Sequence, residues 1–185
     1  MAATSSKMLP LGTPAPGFFL QDTVSDLDVG LHEVRGRKAT VVMFICNHCP
    51  YVIHVQAELV RLANEYKDKG VGFVAISAND AFTYPDDGPD KMKEVAQQVG
   101  FPFPYLFDES QDVARAFKAA CTPDFFVFDA NLRLAYRGQL DDSRPDNDKP
   151  VNGQHLRQAL DELLAGQKVT VEQKPSLGCG IKWVA

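Results

Sequence analysis

The residues best suited to chemistry stand together at Cys46-Asn47-His48-Cys49. Two thiols three positions apart at the start of a helix lie on the same side, close enough to close a disulfide. The free N–H groups of a helix N-terminus favour a thiolate. In such a pair the first cysteine is the exposed nucleophile and the second resolves the mixed disulfide. This makes Cys46 the expected nucleophile and Cys49 the expected resolving thiol. His48, when protonated, adds a positive charge beside them, so the Cys46 thiol is expected within the roughly 3.5–7.5 range of activated cysteines. The competing reading is a structural zinc knuckle, but no second CxxC or HxxxH follows at zinc spacing. Cys121 and Cys179 complete the set of four cysteines. In a reducing compartment such a set more often means catalysis or metal than structural disulfides.

The neighbours of the pair must place it. Residues 39–45 form a compact apolar run of a length that suits a buried strand. Pro50 fits the first turn of a helix, where its missing N–H costs nothing. Val52, Val55, Leu59 and Leu62 continue at helical spacing to about Lys67, and Gly70 ends the segment. The CxxC therefore falls at a strand–helix junction.

The rest of the chain reads as follows. Residues 1–10 are loose and flexible, and 12–17 are rich in turn formers. Residues 18–20 and 29–34 form short strands or a hairpin about 25–28. Residues 71–77 are a second buried strand, and 79–90 are a loop. A helix over 91–99 stops at Gly100; a short strand at 104–107 and a helix over 109–119 follow. Residues 125–128 and 132–136 make a hairpin, 141–150 a polar loop, and 151–164 an amphipathic helix ending at Gly166. Strands alternating with helices argue for a layered α/β domain, and the closing hairpin makes its central sheet mixed. The expected division is a flexible segment 1–10, a domain 11–166, and a C-terminal tail 167–185 docked on the domain through Ile181 and Trp183.

The 185 residues are 45% hydrophobic and 23% charged, enough for one domain with a core of its own. With 19 basic against 24 acidic residues the net charge is −5, which argues against a nucleic-acid partner. No polybasic cluster or long apolar stretch points to a membrane. Residues 1–10 carry one lysine and no apolar run, so a cytoplasmic location is expected.

Three blocks together resemble a known family. Gly12-Thr13-Pro14-Ala15-Pro16, Phe44-Ile45-Cys46-Asn47-His48-Cys49-Pro50-Tyr51-Val52 and Cys121-Thr122-Pro123-Asp124-Phe125-Phe126 are similar to the thioredoxin-like redoxins. That group also holds the alkyl hydroperoxide reductases and thiol-specific antioxidant proteins. With Pro175-Ser176, Gly178-Cys179 and Ile181-Lys182-Trp183, the chain resembles a bacterial subset carrying CNHCPYV. The resemblance implies a thioredoxin-like three-layer fold and thiol redox activity on protein or low-molecular-weight thiol and disulfide partners, with no cofactor. The electron donor and the direction of flow stay open. It also implies that Thr122 and Pro123 bind substrate, with a cis-proline facing the CxxC and backbone hydrogen bonds offered by Thr122. The disulfide-forming oxidase DsbA carries histidine where His48 stands, and its reduced form is stabilised; Asn47 replaces the proline found there in DsbA. Ile45 replaces the tryptophan usual before the first cysteine of thioredoxin. Residues 39–45 carry no acid, so thioredoxin's buried aspartate has no match here.

Other functions compete. Peroxiredoxins carry PxxxTxxC, with the peroxide-reacting cysteine where Cys49 stands, so a thiol peroxidase using Cys49 or Cys46 is an alternative. Val42 and Cys46 occupy the proline and threonine positions of that motif. Arg137 could supply the guanidinium such sites use, though an arginine before a glycine is more often at the surface. Cys46, His48, Cys49 and Cys121 are also soft ligands for Cu(I) or Zn, although no metal is expected. A non-catalytic partner-binding domain is disfavoured by a CxxC at a strand–helix junction. His54, five residues past Cys49, lies roughly 140° around the helix and is expected to face elsewhere. His32 and His155 show no readable partners, Asp141, Asp142, Asp146 and Asp148 read as a solvated loop, and Phe101, Phe103, Phe125 and Phe126 read as core. Cys121 and Cys179 are possible accessory thiols in a disulfide relay, or small buried hydrophobes.

Overall fold

The computed structural model describes residues 2–185. Its strands are β1 (Ala3–Ser5), β2 (Phe19–Asp22), β3 (Asp28–Gly30), β4 (Ala39–Phe44), β5 (Val71–Ser77), β6 (Tyr105–Phe107), β7 (Cys121–Thr122), β8 (Asp124–Asp129), β9 (Leu134–Gly138) and β10 (Leu177–Gly180). Its helices are α1 (Leu31–Val34), α2 (Pro50–Tyr66), α3 (Pro89–Val99), α4 (Asp112–Ala116) and α5 (Gln154–Leu164). Seven strands form one mixed sheet in the order β3-β2-β6-β5-β4-β8-β9. Within it β4, β5 and β6 run parallel, and the remaining pairs are antiparallel.

Every residue of β4 is buried, as a strand covered on both faces requires. The period of two then divides its side chains between two cores. Val41 and Met43 face a layer made by Val52, Leu59 and Leu62 of α2, Met92 and Ala96 of α3, and Leu156, Ala159 and Leu160 of α5. Val42 and Phe44 face the other layer, with Val34 of α1, Ala114 of α4, and Phe117, Phe126 and Phe128. The architecture is thus a thioredoxin-like α/β fold, a mixed sheet between two helical layers. Among the described residues no helix is long and apolar enough to cross a membrane.

The structure departs from the sequence expectations at several places, each for a local reason. Residues 3–5 are not loose: β1 pairs antiparallel with β10, and β10 pairs with β7. Ser6 and Ser176 extend this pairing, the Ser6 N–H donating to the Ser176 carbonyl and the Ser176 N–H to Ser6 Oγ, both at 2.9 Å. The tail therefore contributes the central strand of a second, three-stranded sheet. Residues 31–34 are helical, their start held by Glu33, whose carboxylate accepts the Gly30 N–H at 2.8 Å. The helix expected over 109–119 shrinks to α4, because Gln111 and Lys118 both take left-handed backbone angles, with φ of 66° and 52°. The helix expected from residue 151 starts at Gln154, after Gly153 at φ 63°. Asp141 is not solvated. Its buried carboxylate accepts the N–H groups of Ser143, Asn152 and Gly153 at 2.7–2.9 Å.

Candidate active site

The end of β4 and the start of α2 set the two thiols. The Ile45 N–H still donates to the Ile76 carbonyl at 3.0 Å, so the sheet holds the backbone up to the residue before Cys46. Cys49 is the N-cap of α2, and Pro50 begins the helix. Cys46 and Cys49 are both buried, and both are free thiols.

Asp87, fully buried in a short 3-10 turn at 85–87, fixes the two residues between the cysteines. One of its oxygens accepts the N–H groups of Asn47 at 2.8 Å and His48 at 3.3 Å. The other accepts Asn79 Nδ2 at 2.8 Å and lies 2.6 Å from His48 Nδ1. The His48 ring stacks on Tyr84, with planes 3° apart. Asn47 is held further, its Nδ2 donating to the Asp86 carbonyl and its Oδ1 accepting Tyr105 Oη, both at 2.9 Å. Asp87 carries no motif and lies 40 residues from Asn47 in a segment that reads as a loop, so no local sequence signal marks it. Cys46 Sγ, a His48 nitrogen and an Asp87 oxygen lie within 4.8 Å of one another. A metal-binding reading would rest on this trio, not on Cys121.

The Thr122–Pro123 bond is cis. Thr122 Oγ1 is 3.4 Å from Cys46 Sγ, and the Thr122 carbonyl accepts the Cys49 thiol at 3.2 Å. Cys121, next on the same strand, points the other way. Its thiol donates to the Pro123 carbonyl at 3.7 Å, and burial, followed by the charge of Asp124, pushes its pKa far up. Cys179 behaves differently. Its Sγ lies 2.7 Å from Cys49 Sγ.

These contacts distribute the acidity of the cluster unevenly. The bond from the Cys46 thiol lowers Cys49 to about 5, against the opposing effect of burial. The Cys179 thiol, Thr122 and the Val52 N–H lower it further. Cys46 is pushed far up, first by that same bond with Cys49, then by burial and by the nearby Asp87 charge. Cys179 is raised to about 12, by burial first and then by Cys49. The direction thus differs from the expectation for Cys46: its surroundings disfavour the thiolate there and favour it on Cys49. The physical reason is that Cys49 caps a helix N-terminus with the Cys179 thiol against it, whereas Cys46 faces the Asp87 carboxylate.

Arg137, expected at the surface, is fully buried on the other face of the sheet. It pairs with Asp124 at 3.0 Å, donates to the Lys118 carbonyl at 3.0 Å, and lies over the Phe126 ring at 4.2 Å. Phe126 belongs to the core opposite the one holding Cys49, so this guanidinium is committed away from the thiols. His54 does not face away from the site's surroundings. With Tyr51, Pro123, Arg144 and Leu177 it lines a small, shallow cleft beside the cis-proline.

Residues 10–154 match the family model described as Redoxin. The chain is similar over its full length to an uncharacterized conserved protein from Geobacillus kaustophilus, at 59% identity and a TM-score of 0.98, covering 97% of that chain. A hypothetical protein from Sinorhizobium meliloti is 43% identical with a TM-score of 0.96, over 98% of this chain and 99% of that one. The thioredoxin domain of a thiol-disulfide oxidoreductase from Bacteroides vulgatus shares the fold, with a TM-score of 0.61 at 18% identity over 81% of this chain and 98% of that one. No curated protein matches the chain.

Proposed function

The chain belongs to the Redoxin family, and on that footing we propose that it is a thiol–disulfide oxidoreductase in which Cys46 exchanges with the client and Cys49 resolves. The observation that carries this reading is the Cys46–Cys49 pair at a strand–helix junction, with Thr122 in contact with both sulfurs. Both thiols are buried, and Cys46 is the one joined directly to partly exposed Asn47 and His48 in the loop, the side from which we expect a client disulfide to approach.

The uneven acidity gives each thiol a task. Cys49, the thiol whose surroundings favour the anion, accepts the Cys46 proton as Cys46 Sγ attacks the client disulfide. One client thiolate leaves and takes that proton from Cys49. The Cys49 thiolate then attacks Cys46 Sγ of the mixed disulfide, closing the Cys46–Cys49 bond and expelling the second client thiolate. The client gains two electrons and the pair loses two; run backwards, the same steps oxidise a dithiol client. The client, a protein or a small thiol, would meet this face across the shallow cleft beside Pro123, with Tyr51, His54 and Arg144 on its wall.

The test is exchange with a disulfide-bonded peptide. Cys46→Ser should abolish it, and Cys49→Ser should accumulate a mixed disulfide through Cys46. Exchange surviving in Cys46→Ser would sink this assignment. A peroxidase is the second reading, favoured by the lowered pKa of Cys49 at a helix N-cap. It predicts stoichiometric consumption of hydrogen peroxide that persists in Cys46→Ser and vanishes in Cys49→Ser. The commitment of Arg137 to Asp124 speaks against it.

A further inference from the structure

Cys179 touches the reacting pair and has no part in the steps above. It sits in β10, the middle strand of the small sheet, with Ala3 of β1 opposite it on one side and Thr122 of β7 on the other. Its Sγ–Sγ distance to Cys49 is 2.7 Å, roughly 0.7 Å beyond a formed S–S bond of about 2.05 Å.

This approach is built into the strand and its anchors. A Cβ on Gly178 would lie 1.9 Å from the Thr122 carbonyl oxygen, so only glycine lets β10 run flush against β7. A Cβ on Gly180 would come within 3.1 Å of Thr4 Oγ1. On one side of Cys179, Ser176 Oγ donates to the Pro123 carbonyl at 2.8 Å. On the other, the Ile181 N–H donates to the Ala120 carbonyl at 3.1 Å and the Lys182 N–H to Asn79 Oδ1 at 2.9 Å. Asn79 is the residue that also holds Asp87, so the tail and the CxxC loop share one polar network.

We propose that Cys179 is a third redox-active cysteine, and that Cys49 alternates between two disulfides, Cys46–Cys49 and Cys49–Cys179. The proposal rests on the oxidoreductase reading, because the client disulfide is the oxidant that first forms Cys46–Cys49. Cys179 then loses its proton and attacks Cys49 Sγ. The Cys49–Cys179 bond forms, the Cys46–Cys49 bond breaks, and Cys46 leaves as a thiolate that takes up the proton. No electrons are gained or lost in this step. Its result is a stored Cys49–Cys179 disulfide and a free Cys46 thiol; an external reducing thiol, by attacking that disulfide twice in succession, returns Cys49 and Cys179 to the reduced state and leaves as its own disulfide. Cys121 takes no part, since its thiol is turned to the Pro123 carbonyl.

The experiment uses the full chain equilibrated in glutathione buffers of graded potential, acid-quenched, alkylated and mapped without reduction by mass spectrometry. Wild-type protein should yield both the Cys46–Cys49 and the Cys49–Cys179 linkages. Cys46→Ser should lose both remaining alkylatable thiols of the cluster together, as a Cys49–Cys179 crosslink. Cys179→Ser should yield Cys46–Cys49 alone. If wild type shows only Cys46–Cys49 at every potential, or if Cys46→Ser keeps Cys49 and Cys179 alkylatable, the third-thiol proposal is overturned while the oxidoreductase reading stands. If wild type forms no Cys46–Cys49 linkage at any potential, the oxidoreductase reading itself fails and takes the proposal with it.

Discussion

Asp87 Oδ2 lies 2.6 Å from His48 Nδ1, although one residue closes the loop before α3 and the other sits inside the CxxC. The contact means that any positive charge on His48 is already matched before it reaches the thiols. It also means that a carboxylate, which disfavours a Cys46 thiolate, is part of the site. Removing the two partners should therefore have opposite effects.

The loss of the imidazole leaves the Asp87 charge unopposed beside the pair. His48→Ala should make the reduced form less stable and lower the Cys46–Cys49 reduction potential, by about 30 mV for each 1.4 kcal/mol of lost interaction. Combining it with Asp87→Asn should recover most of that shift. A redox titration of the three variants against glutathione checks the cycle; equal potentials throughout would mean the pair does not act on the thiols.

Asp87 has a structural task as well. Asp87→Ala strips the partner from the Asn47 N–H and Asn79 Nδ2. Each buried donor left unpaired costs about 1–3 kcal/mol. The expected loss is roughly 2–6 kcal/mol in chemical denaturation, with Asp87→Asn losing less because its amide oxygen can still accept one of the donors.

These two residues show where sequence reasoning stops. The CxxC, the strand before it and the helix after it were legible, because an apolar run, Pro50 and a 3.6 period are local signals. Asp87 was not, because its meaning depends on a loop folding back over a segment 40 residues away. Arg137 and Asp124 were missed for the same reason: each reads as an ordinary charge until β8 and β9 pair and bury both. The strands β1 and β10 are three and four residues long in Ser- and Gly-containing sequence, too short to carry a period. Cys179 with its flanking glycines could be noticed, but its distance from Cys49 could not.

The Cys49 thiolate should be visible directly. Its ultraviolet absorbance in reduced protein should titrate at about pH 5, and Cys46→Ala or Cys179→Ala should move the midpoint upward, since each removes a donor. The folded pKa lies below the ordinary thiol value of 9.0, so the ionised form is favoured by the fold. The matching contribution to stability is full above pH 9, declines as pH falls, and is gone below about pH 5. Reduced wild type should thus lose more stability over that window than Cys49→Ala. An absorbance midpoint near 9 would refute the assignment.

The buried Arg137–Asp124 pair should be a stability element. Arg137→Met leaves a buried carboxylate alone and should cost about 3–5 kcal/mol at neutral pH. Asp124 already titrates at about 6, raised mainly by burial, so it favours the fold when protonated and weakens it as pH rises through that value. Without Arg137 its pKa rises further, so the deficit of the variant should grow with pH and shrink below about 6. Denaturation midpoints measured across that range decide the matter; a deficit independent of pH would mean that Asp124 does not titrate there.

Gly178→Ala tests whether the tail's docking controls the thiols. The added methyl would sit 1.9 Å from the Thr122 carbonyl oxygen, and that oxygen belongs to backbone fixed by β7 and Pro123. Neither can yield, so β10 has to move away from β7, and β1, which pairs only with β10, moves with it. The main domain should stay folded, because its two cores draw on the seven-stranded sheet and its helices, with only Cys179 and Ile181 contributed by the segment around β10. Three changes should then appear together in reduced protein. Cys179, now buried, should become open to alkylation. Cys49 should lose the Cys179 donor, so its thiolate should titrate at a higher pH. The crosslink between Cys49 and Cys179 should fall below its wild-type yield under identical oxidation. Unchanged alkylation of Cys179 would show that the strand tolerates the methyl; a changed alkylation with an unmoved Cys49 midpoint would show that the tail thiol does not support the anion.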